Sequence, residues 1–249
     1  MDSTAPWCQW PVASRAVQAA TVRSVTRYPV KSMAGEELAQ VQLDARGVLG
    51  DRVLAVRTAD GRLGSGKTSR RFRRVEGLRQ IATRRLDDGR VHLLLPDGTP
   101  LHSDDPDVDA RLSSWLDQPV TLVAEGAVSH FDEDGLHLLT TAALAAVHER
   151  SGVLLDPRRA RANLLLDAPI AGFVEDGCLG ADLRVGGAVI RVSVPMPRCD
   201  MVNQAGLGLP TQHGALRALG EQHDAELGVV ANVLTPGVVA VGDAVERID

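Results

Sequence analysis

The stretch that decides the fold covers residues 188–200 and reads AVIRVSVPMPRCD. Its first seven residues alternate roughly between apolar and polar side chains, which predicts a β-strand. Pro195 and Pro197 restrict the backbone and remove amide donors, so we expect the strand to end before them rather than to continue inside a sheet. Cys199 follows directly after Arg198, and a neighbouring guanidinium favours the thiolate form, which attacks electrophiles or binds soft metals. The alternative interpretation of this cysteine is a small, buried apolar side chain.

On both sides of this stretch, the chain shows short strand-like runs separated by glycine, aspartate and proline. Gly186-Gly187 predicts a hairpin between two of these runs, and Thr140 and Thr141 can cap a helix that Gly152 ends. The other strands are predicted at residues 21–28, 38–47, 53–56, 78–84, 91–95, 119–123, 161–167, 229–233 and 238–241, and the helices at residues 111–116, 142–150 and 216–223. Short strands with few helices favour a mainly β, barrel-like α+β protein over a βαβ sheet.

The composition is that of a globular chain of 249 residues, with 44% hydrophobic and 24% charged residues and a net charge of -5. This acidic balance argues against a nucleic-acid partner, and no apolar run is long enough for a membrane span. Residues 1–20 lack a secretory pattern, which predicts a cytoplasmic protein. The three cysteines, Cys8, Cys178 and Cys199, form no Cys-x-x-Cys pair, which argues against a disulfide framework, a zinc site and a four-cysteine iron–sulfur cluster.

Residues 61–68, GRLGSGKT, match the P-loop spacing in which backbone amides hold phosphates, lysine reaches the terminal oxygens and threonine binds Mg²⁺. A P-loop also needs a following helix and a parallel sheet, whereas Asp60-Gly61 is typical of a hairpin turn. A nucleotide binder is therefore the less favoured alternative. Lys67, inside this motif, and Lys31 are the only two lysines of the chain, and both lie in loops that contain glycine or serine.

Two groups of arginines can bind anions. Residues 70–74 form a basic patch, which we interpret as a solvated face rather than a nucleic-acid site, because Phe72 is its only aromatic residue. Arg158, Arg159, Arg161 and Asn163 begin a predicted strand, where guanidinium groups and an amide suit a phosphate and the edge of a heterocycle. Surface salt bridges are the alternative for this second group.

Taken together and in order, these pieces resemble the MOSC family, which is named for the C-terminal domain of molybdenum-cofactor sulfurases. The motifs that carry the resemblance are YPVKS at 28–32 with Gly35-Glu36, GDR at 50–52, LHLLTTA at 136–142, RANL at 161–164, FVED at 173–176, PRC at 197–199, PGV at 236–238 and VGD at 241–243. Residues 1–20, with two prolines and little periodicity, predict a loose extension, and the polar stretch at residues 125–135 predicts a subdomain boundary. The resemblance covers residues 21–249 and implies a MOSC N-terminal β-barrel-like subdomain at residues 21–125 and a MOSC domain at residues 126–249.

The resemblance also implies a cofactor, a pterin dithiolene that carries molybdenum and a phosphate tail. In the amidoxime-reducing members, a cysteine at the position of Cys199 ligates molybdenum, and Arg198 would tune its charge. Lys31, Ser32 and Arg52 would hold the phosphate and the pterin. The other implied cofactor contacts are Lys67, Thr140, Thr141, Arg161 and Asn163.

The implied activity is the reduction of small N-oxygenated compounds such as hydroxylamines, amidoximes and N-oxides. Some members carry a ferredoxin module, whereas this sequence ends at Asp249 without one, which implies a separate electron-donor protein and no membrane or nucleic-acid partner. A non-redox carrier of sulfur or of the cofactor, with Cys199 as its persulfide site, is the alternative. Two departures from the family pattern, Cys178 in place of a tryptophan and the loop at residues 203–208, leave the choice of substrate open.

Overall fold

The computed structural model describes residues 20–206 and 208–248. The predicted extension, apart from Ala20, and Cys8 lie outside these residues. The strands are β1 (Ala20–Arg27), β2 (Glu36–Leu38), β3 (Gln40–Asp44), β4 (Gly47–Val48), β5 (Leu54–Thr58), β6 (Leu63–Ser65), β7 (Phe72–Arg74), β8 (Ala82–Arg85), β9 (Val91–Leu94), β10 (Pro100–His102), β11 (Val120–Ala124), β12 (Leu136–Thr140), β13 (Leu164–Asp167), β14 (Asp182–Val185), β15 (Ala188–Pro197), β16 (Glu226–Thr235), β17 (Gly237–Ala240) and β18 (Ala244–Ile248). The helices are α1 (Val108–Trp115), α2 (Thr141–Ser151) and α3 (Ala215–His223), so the predicted mainly β fold is confirmed.

Seven strands close into a barrel in the order β1-β13-β12-β16-β15-β14-β18, which returns to β1. The closure depends on β1, which pairs with β13 through Val22 and Leu166 and with β18 through Ala20 and Val245. β2 extends the sheet from β1. Because the barrel is closed, each of the seven strands is paired on both sides over at least part of its length. Apolar side chains at alternate positions pack in the interior, as that of Ile190 does.

Strand β15 differs from the prediction, because it runs through Pro195 and ends at Pro197. β14 pairs with β15 only as far as Arg191, so beyond that residue β15 has a paired strand, β16, on one side only. On the unpaired side, a proline therefore costs no hydrogen bond of the sheet. On the side of β16, register shifts between Val192 and Val194 and at the prolines make room for residues that lack an amide donor. The strand thus leads from the barrel core directly to residues 198 and 199.

Helix α2 shows the predicted caps. The side chain of Thr140 accepts a hydrogen bond from the amide of Ala143, and Gly152 ends the helix with a φ of 72°. A threonine hydroxyl satisfies an amide that the first turn leaves free, and glycine adopts the left-handed conformation without strain. Within the described residues, no helix is both long enough and apolar enough to cross a membrane.

A second apolar core lies beside the barrel. It is built by the sheet β10-β9-β8, by part of the sheet β11-β5-β6-β7 and by α1, and its most buried side chains include Leu93, Leu101 and Leu112. Val30 and Met33, from the turn after β1, belong to this second core, whereas Val25 of β1 belongs to the barrel core. The turn after β1 therefore crosses from one core to the other, and the predicted site lies at this crossing.

Candidate functional site

One pocket between the two cores collects eight of the ten predicted site residues. They come from the turn after β1, the turns that precede β5 and β7, the segment before β13 and the end of β15. The eight are Lys31, Ser32, Arg52, Lys67, Arg161, Asn163, Arg198 and Cys199.

The backbone of this pocket is strained at three of those residues. Six non-glycine residues in the described part of the chain have a positive φ, and three of them line the pocket: Ser32 at 63°, Arg52 at 51° and Arg161 at 55°. A left-handed conformation costs a residue with a side chain about 1–3 kcal/mol, and the surrounding contacts must hold it in place. Such strain concentrates at sites that position groups for a ligand.

Two lysines share one carboxylate at one end of the pocket. Nζ of Lys31 lies 2.6 Å from Oδ2 of Asp132, and Nζ of Lys67 lies 2.6 Å from Oδ1. Burial lowers the pKa of Lys31 to about 8, although Asp132 counteracts it. Burial alone would raise the pKa of Asp132, but the two lysines hold it at about 2. Asp132 is therefore ionised at neutral pH and compensates two ammonium charges with one negative charge.

Aromatic side chains support these cations. The ring of Phe72 lies 4.2 Å from Nζ of Lys31 and 5.4 Å from Nζ of Lys67, measured to the ring centroid. The guanidinium of Arg52 lies 5.1 Å from the ring centroids of both Tyr28 and Phe131. The faces of aromatic rings attract cations and use up none of their hydrogen-bond donors, so the rings stabilise these charges without adding an acceptor.

Asp51 joins the turn that carries Arg52 to the barrel. It is buried, its Oδ1 accepts from the amide of Tyr28 at 2.6 Å, and its Oδ2 accepts from Arg52 and from Nδ2 of Asn163. The Oδ1 of Asn163 in turn accepts from the amide of His137 at 3.2 Å. The amide group of Asn163 is thus bonded to the protein at both ends, which holds the two halves of the pocket together.

Arg161 has an unused donor. Its Nη1 donates to the carbonyl of Met33 at 2.6 Å, and its guanidinium lies 4.2 Å from the centroid of the Tyr28 ring. Its Nη2 is buried and has no hydrogen-bond partner among the described residues. Burial lowers the pKa of Arg161 to about 9, so the group remains charged at neutral pH. A buried, charged donor without an acceptor is costly, and an anionic or carbonyl-bearing ligand would satisfy it.

Arg198 is held firmly by the protein. Its Nε donates to the carbonyl of Leu227 at 3.0 Å, its Nη1 donates to the carbonyl of Ala160 at 2.7 Å, and its Nη2 contacts Nε2 of His137. Burial lowers its pKa to about 9. These bonds fix the backbone just before Cys199, so Arg198 positions the thiol as well as contributing its charge.

Cys199 is half-buried and lines the pocket, and a short 3₁₀ helix, Asp200–Val202, begins directly after it. Neither Cys199 nor Cys178 is part of a disulfide. Cys178 is buried in the barrel core. Cys199 therefore lines the pocket, whereas Cys178 does not.

Thr140 and Thr141 do not line the pocket. The hydroxyl of Thr140 caps α2 and donates to Oε2 of Glu175 at 2.6 Å, and Thr141 is the first residue of α2. Of the two predicted caps, Thr140 caps the helix and Thr141 lies inside it. The pocket that collects the other predicted site residues does not include either threonine.

The P-loop match has a different local fold. β6 lies inside the motif, and residues 66–71 lead through bends into β7, which pairs with β6 in parallel. A P-loop would continue into a helix after its lysine. Lys67 instead faces Asp132, so the structure does not support the nucleotide-binding alternative.

The charge balance of the pocket favours an anion. Its lining includes six cationic side chains and two carboxylates, namely Lys31, Arg52, Lys67, Arg159, Arg161 and Arg198 against Asp132 and Glu133. A ligand with a phosphate at the lysine end, polar ring atoms near Arg161 and a soft metal at Cys199 fits this set of donors. Among the described residues, no group of three or more His, Cys, Asp or Glu side chains could hold a metal alone.

Three residues that line the pocket were not assigned to the site from the sequence. Asp132 and Glu133 lie in an acidic run without a distinctive spacing, and His137 alternates with leucines in β12. The sequence indicates a residue such as Asp132 only indirectly, because two isolated lysines require a nearby negative charge. The partner of such a lysine depends on tertiary structure, and spacing along the chain does not reveal it.

Comparisons with known proteins agree with the fold. The chain matches the MOSC domain over residues 118–246 and the MOSC N-terminal beta barrel domain over residues 19–136. The structure is similar to that of the YuaD protein from Bacillus subtilis, with a TM-score of 0.50 and 13% identity over 91% of this chain and 93% of that chain. This likeness supports the fold alone.

Two further structures are similar at lower scores. YiiM from Geobacillus stearothermophilus has a TM-score of 0.36 and 20% identity, over 46% of this chain and 54% of that chain. YiiM from Escherichia coli has a TM-score of 0.40 and 15% identity, over 90% of this chain and 70% of that chain. The comparison with curated proteins found no match.

Proposed function

This chain belongs to the MOSC domain family, and from that premise we propose that it binds a molybdenum cofactor in the pocket and reduces small N-oxygenated compounds. The family is associated with this cofactor. The observation that supports the proposal most is the meeting, in one pocket, of a half-buried thiol, Cys199, with the lysine pair Lys31 and Lys67 and with the unused donor of Arg161.

The residues present have distinct binding roles in this proposal. Lys31 and Lys67 hold the phosphate, because ammonium groups beside an exchangeable carboxylate form charge-assisted bonds to phosphate oxygens. Nη2 of Arg161 would donate to the ring system, and Arg52, which lines the pocket beside the rings of Tyr28 and Phe131, would add positive charge. Cys199 supplies the thiolate ligand, since molybdenum in this setting prefers a polarizable sulfur.

When bound, the cofactor supplies the metal that exchanges electrons and oxygen with the substrate. The protein positions the thiol through Arg198, whose donors are bonded to main-chain carbonyls and to His137. The reduction of an N–OH group to N–H takes two electrons and two protons and releases one water molecule. The electrons would come from an electron donor, and the substrate would react beside Cys199, which is half-buried.

The test of this proposal uses the full chain produced with an ample supply of molybdenum. Elemental analysis gives the molybdenum content, and the fluorescence of the oxidised pterin gives the cofactor content. Turnover of a hydroxylamine and an amidoxime is then measured with a reduced artificial electron donor. About one molybdenum per chain together with turnover supports a reductase. Protein without molybdenum or turnover, even after cofactor loading, refutes it.

The carrier alternative has a different signature, and the half-exposed position of Cys199 is the observation that favours it. A persulfide on this thiol releases thiocyanate on treatment with cyanide, and it forms without any turnover of N-oxygenated compounds. The carrier function would be supported over the reductase function by three results together. The wild type would carry sulfane sulfur, Cys199→Ser would carry none, and neither protein would reduce N-oxygenated compounds.

A further inference from the structure

Asp132 occupies the position between the two lysines that a bound anion would take. Its two oxygens each lie 2.6 Å from one ammonium nitrogen, so one carboxylate bridges Lys31 and Lys67. A phosphate group bridges two ammonium groups in the same way, through two of its oxygens. An incoming anion must therefore displace Asp132 before it can contact both lysines.

The chain that leads up to Asp132 is anchored to the protein. Glu125 pairs with Arg46, and Nη2 of Arg71 donates to the carbonyls of Ser129 at 2.7 Å and of Phe131 at 2.9 Å. The side chain of Asp132 itself is one-third exposed and lies in an irregular connection between β11 and β12. Rotation of this side chain into solvent therefore requires no movement of a strand.

We propose that Asp132 is a resident counter-ion that makes the lysine pair selective for a phosphate monoester over a singly charged anion. The inference rests on the proposed function, because the phosphate would belong to the ligand of this pocket. A monoanion that replaces Asp132 puts one negative charge in the place of another, so its binding gains little electrostatic free energy. A phosphate monoester carries a charge of about −1.5 to −2 at pH 7 and neutralises both ammonium groups.

The carboxylate also keeps the site ready for a ligand. Lys31 is only 2% exposed, and without a partner its buried charge would be strongly disfavoured. Asp132 preserves that charge until a stronger anion arrives. A neutral partner at this position would leave the ammonium group open to any anion, so the identity of residue 132 determines selectivity.

The experiment uses the full chain and two probes that differ in charge, methyl phosphate and dimethyl phosphate, with binding measured by titration calorimetry. We expect the wild type to prefer methyl phosphate by at least about tenfold, the scale of one charge-assisted bond. In Asp132→Asn, dimethyl phosphate should bind at least about tenfold more tightly than it binds the wild type, and the preference should shrink. Glu133→Gln is the matched control, because Glu133 lines the same pocket without bridging the lysines.

Other outcomes overturn the proposal. If Asp132→Asn weakens the binding of both esters, Asp132 only positions the lysines. If neither ester binds the wild type or the variant, or if Glu133→Gln has the same effect, the lysine pair does not select phosphate through Asp132. Asp132→Ser repeats the test should the asparagine variant fail to fold. The assay contains no metal and no reductant, so its result is separate from success or failure of the reductase assay.

Discussion

Nη2 of Arg198 donates to Nε2 of His137, a buried imidazole on β12. A guanidinium can only donate, so Nε2 of His137 must be free of a proton to accept this bond. Burial and, next, the charge of Arg198 hold the pKa of His137 well below its ordinary value. The position of the residue before Cys199 therefore depends on a histidine that stays neutral.

This relationship predicts a loss of stability in mild acid. Between the lowered pKa of folded His137 and the unfolded value of about 6.5, only the unfolded state takes up the proton. The contribution of His137 is therefore complete above pH 6.5 and decreases by up to about 1.4 kcal/mol per pH unit below it. Urea unfolding of the wild type and of His137→Gln at pH 7.5, 6 and 5 gives the free energy of unfolding at each pH. This free energy should decrease less with falling pH in the variant than in the wild type.

The control for this experiment is His148→Gln, which removes an exposed imidazole from α2. Parallel profiles for the wild type and His137→Gln would mean that His137 does not control the acid response. Glutamine keeps an acceptor for Arg198, so a large loss of stability at pH 7.5 would also contradict this account.

Glu175 predicts the opposite response to pH. It is buried, its Oε2 accepts from Thr140, and its Oε1 has no hydrogen-bond partner among the described residues. Burial, with a smaller effect from the charge of Asp176, raises the pKa of Glu175 to about 7. The folded state thus holds a proton that the unfolded state releases above its own pKa of 4.5, so stability falls as the pH rises from 4.5 and the loss is complete once the pH has passed through about 7.

We therefore expect Glu175→Gln to remove this loss. Between pH 5 and pH 8, the free energy of unfolding of the wild type should fall by about 2–3 kcal/mol more than that of the variant. The two proteins should have similar stability at pH 5, because glutamine resembles the protonated carboxyl group. Chemical unfolding at both pH values measures the difference, and a variant that is less stable at pH 8 would show that the charged form of Glu175 is the stabilising one.

Local patterns explain why part of the fold was predictable. The hairpin at Gly186 and the caps of α2 depend on residues only a few positions apart, and the structure confirms both. β18 was not predicted, since its short run, AVERI, forms a strand only by pairing with β14 and β1. The prediction also ended the strand before its prolines, whereas β15 runs through them to Pro197. A strand tolerates proline where only one of its sides is paired, and the sequence does not show which strands lie beside it.

The site was predictable where the chain carries motifs and not where it depends on contacts across the fold. The family resemblance identified Cys199 and Lys31, and the structure brings them to one pocket. Asp132 was missed because its role comes from two lysines that reach it from other segments. The resemblance assigned Thr140 to the cofactor, and that assignment stays a prediction; in the structure its hydroxyl caps α2 and donates to Glu175.

The two lysines should contribute unequally to phosphate binding. The side chain of Lys31 is 2% exposed and that of Lys67 is 34% exposed, so solvent screens the second charge more strongly. We expect Lys31→Met to lower molybdenum content at limiting cofactor supply through a loss of more than about tenfold in affinity, with a smaller loss for Lys67→Met. Methionine keeps the apolar stem of Lys31, so the fold should survive.

Molybdenum content and circular dichroism of both variants measure these effects. Arg90→Met, at an exposed turn far from the pocket lining, is the control for the loss of one positive charge. Equal losses for the two lysine variants would contradict the role of burial, and a normal molybdenum content in Lys31→Met would remove Lys31 from the phosphate site.

The sulfur of Cys199 should be indispensable for turnover. Cys199→Ser replaces it with an oxygen of similar size, so packing changes little, while the polarizable ligand that molybdenum prefers is lost. We expect the variant to fold normally, to retain part of the pterin through the lysines and Arg161, and to lose N-reductive activity. The measurement is the reduction of a hydroxylamine by cofactor-loaded protein with an artificial donor.

Cys178→Ser separates this chemical role from a general effect of removing a thiol. Cys178 is 1% exposed and packs in the barrel core, so a serine there places a more polar side chain among apolar neighbours and costs stability while the pocket keeps its ligand. That variant should therefore unfold more easily and still turn over substrate. Full activity in Cys199→Ser would exclude the thiolate as the metal ligand, and a selective loss of activity in a folded Cys178→Ser would transfer the role to the other thiol.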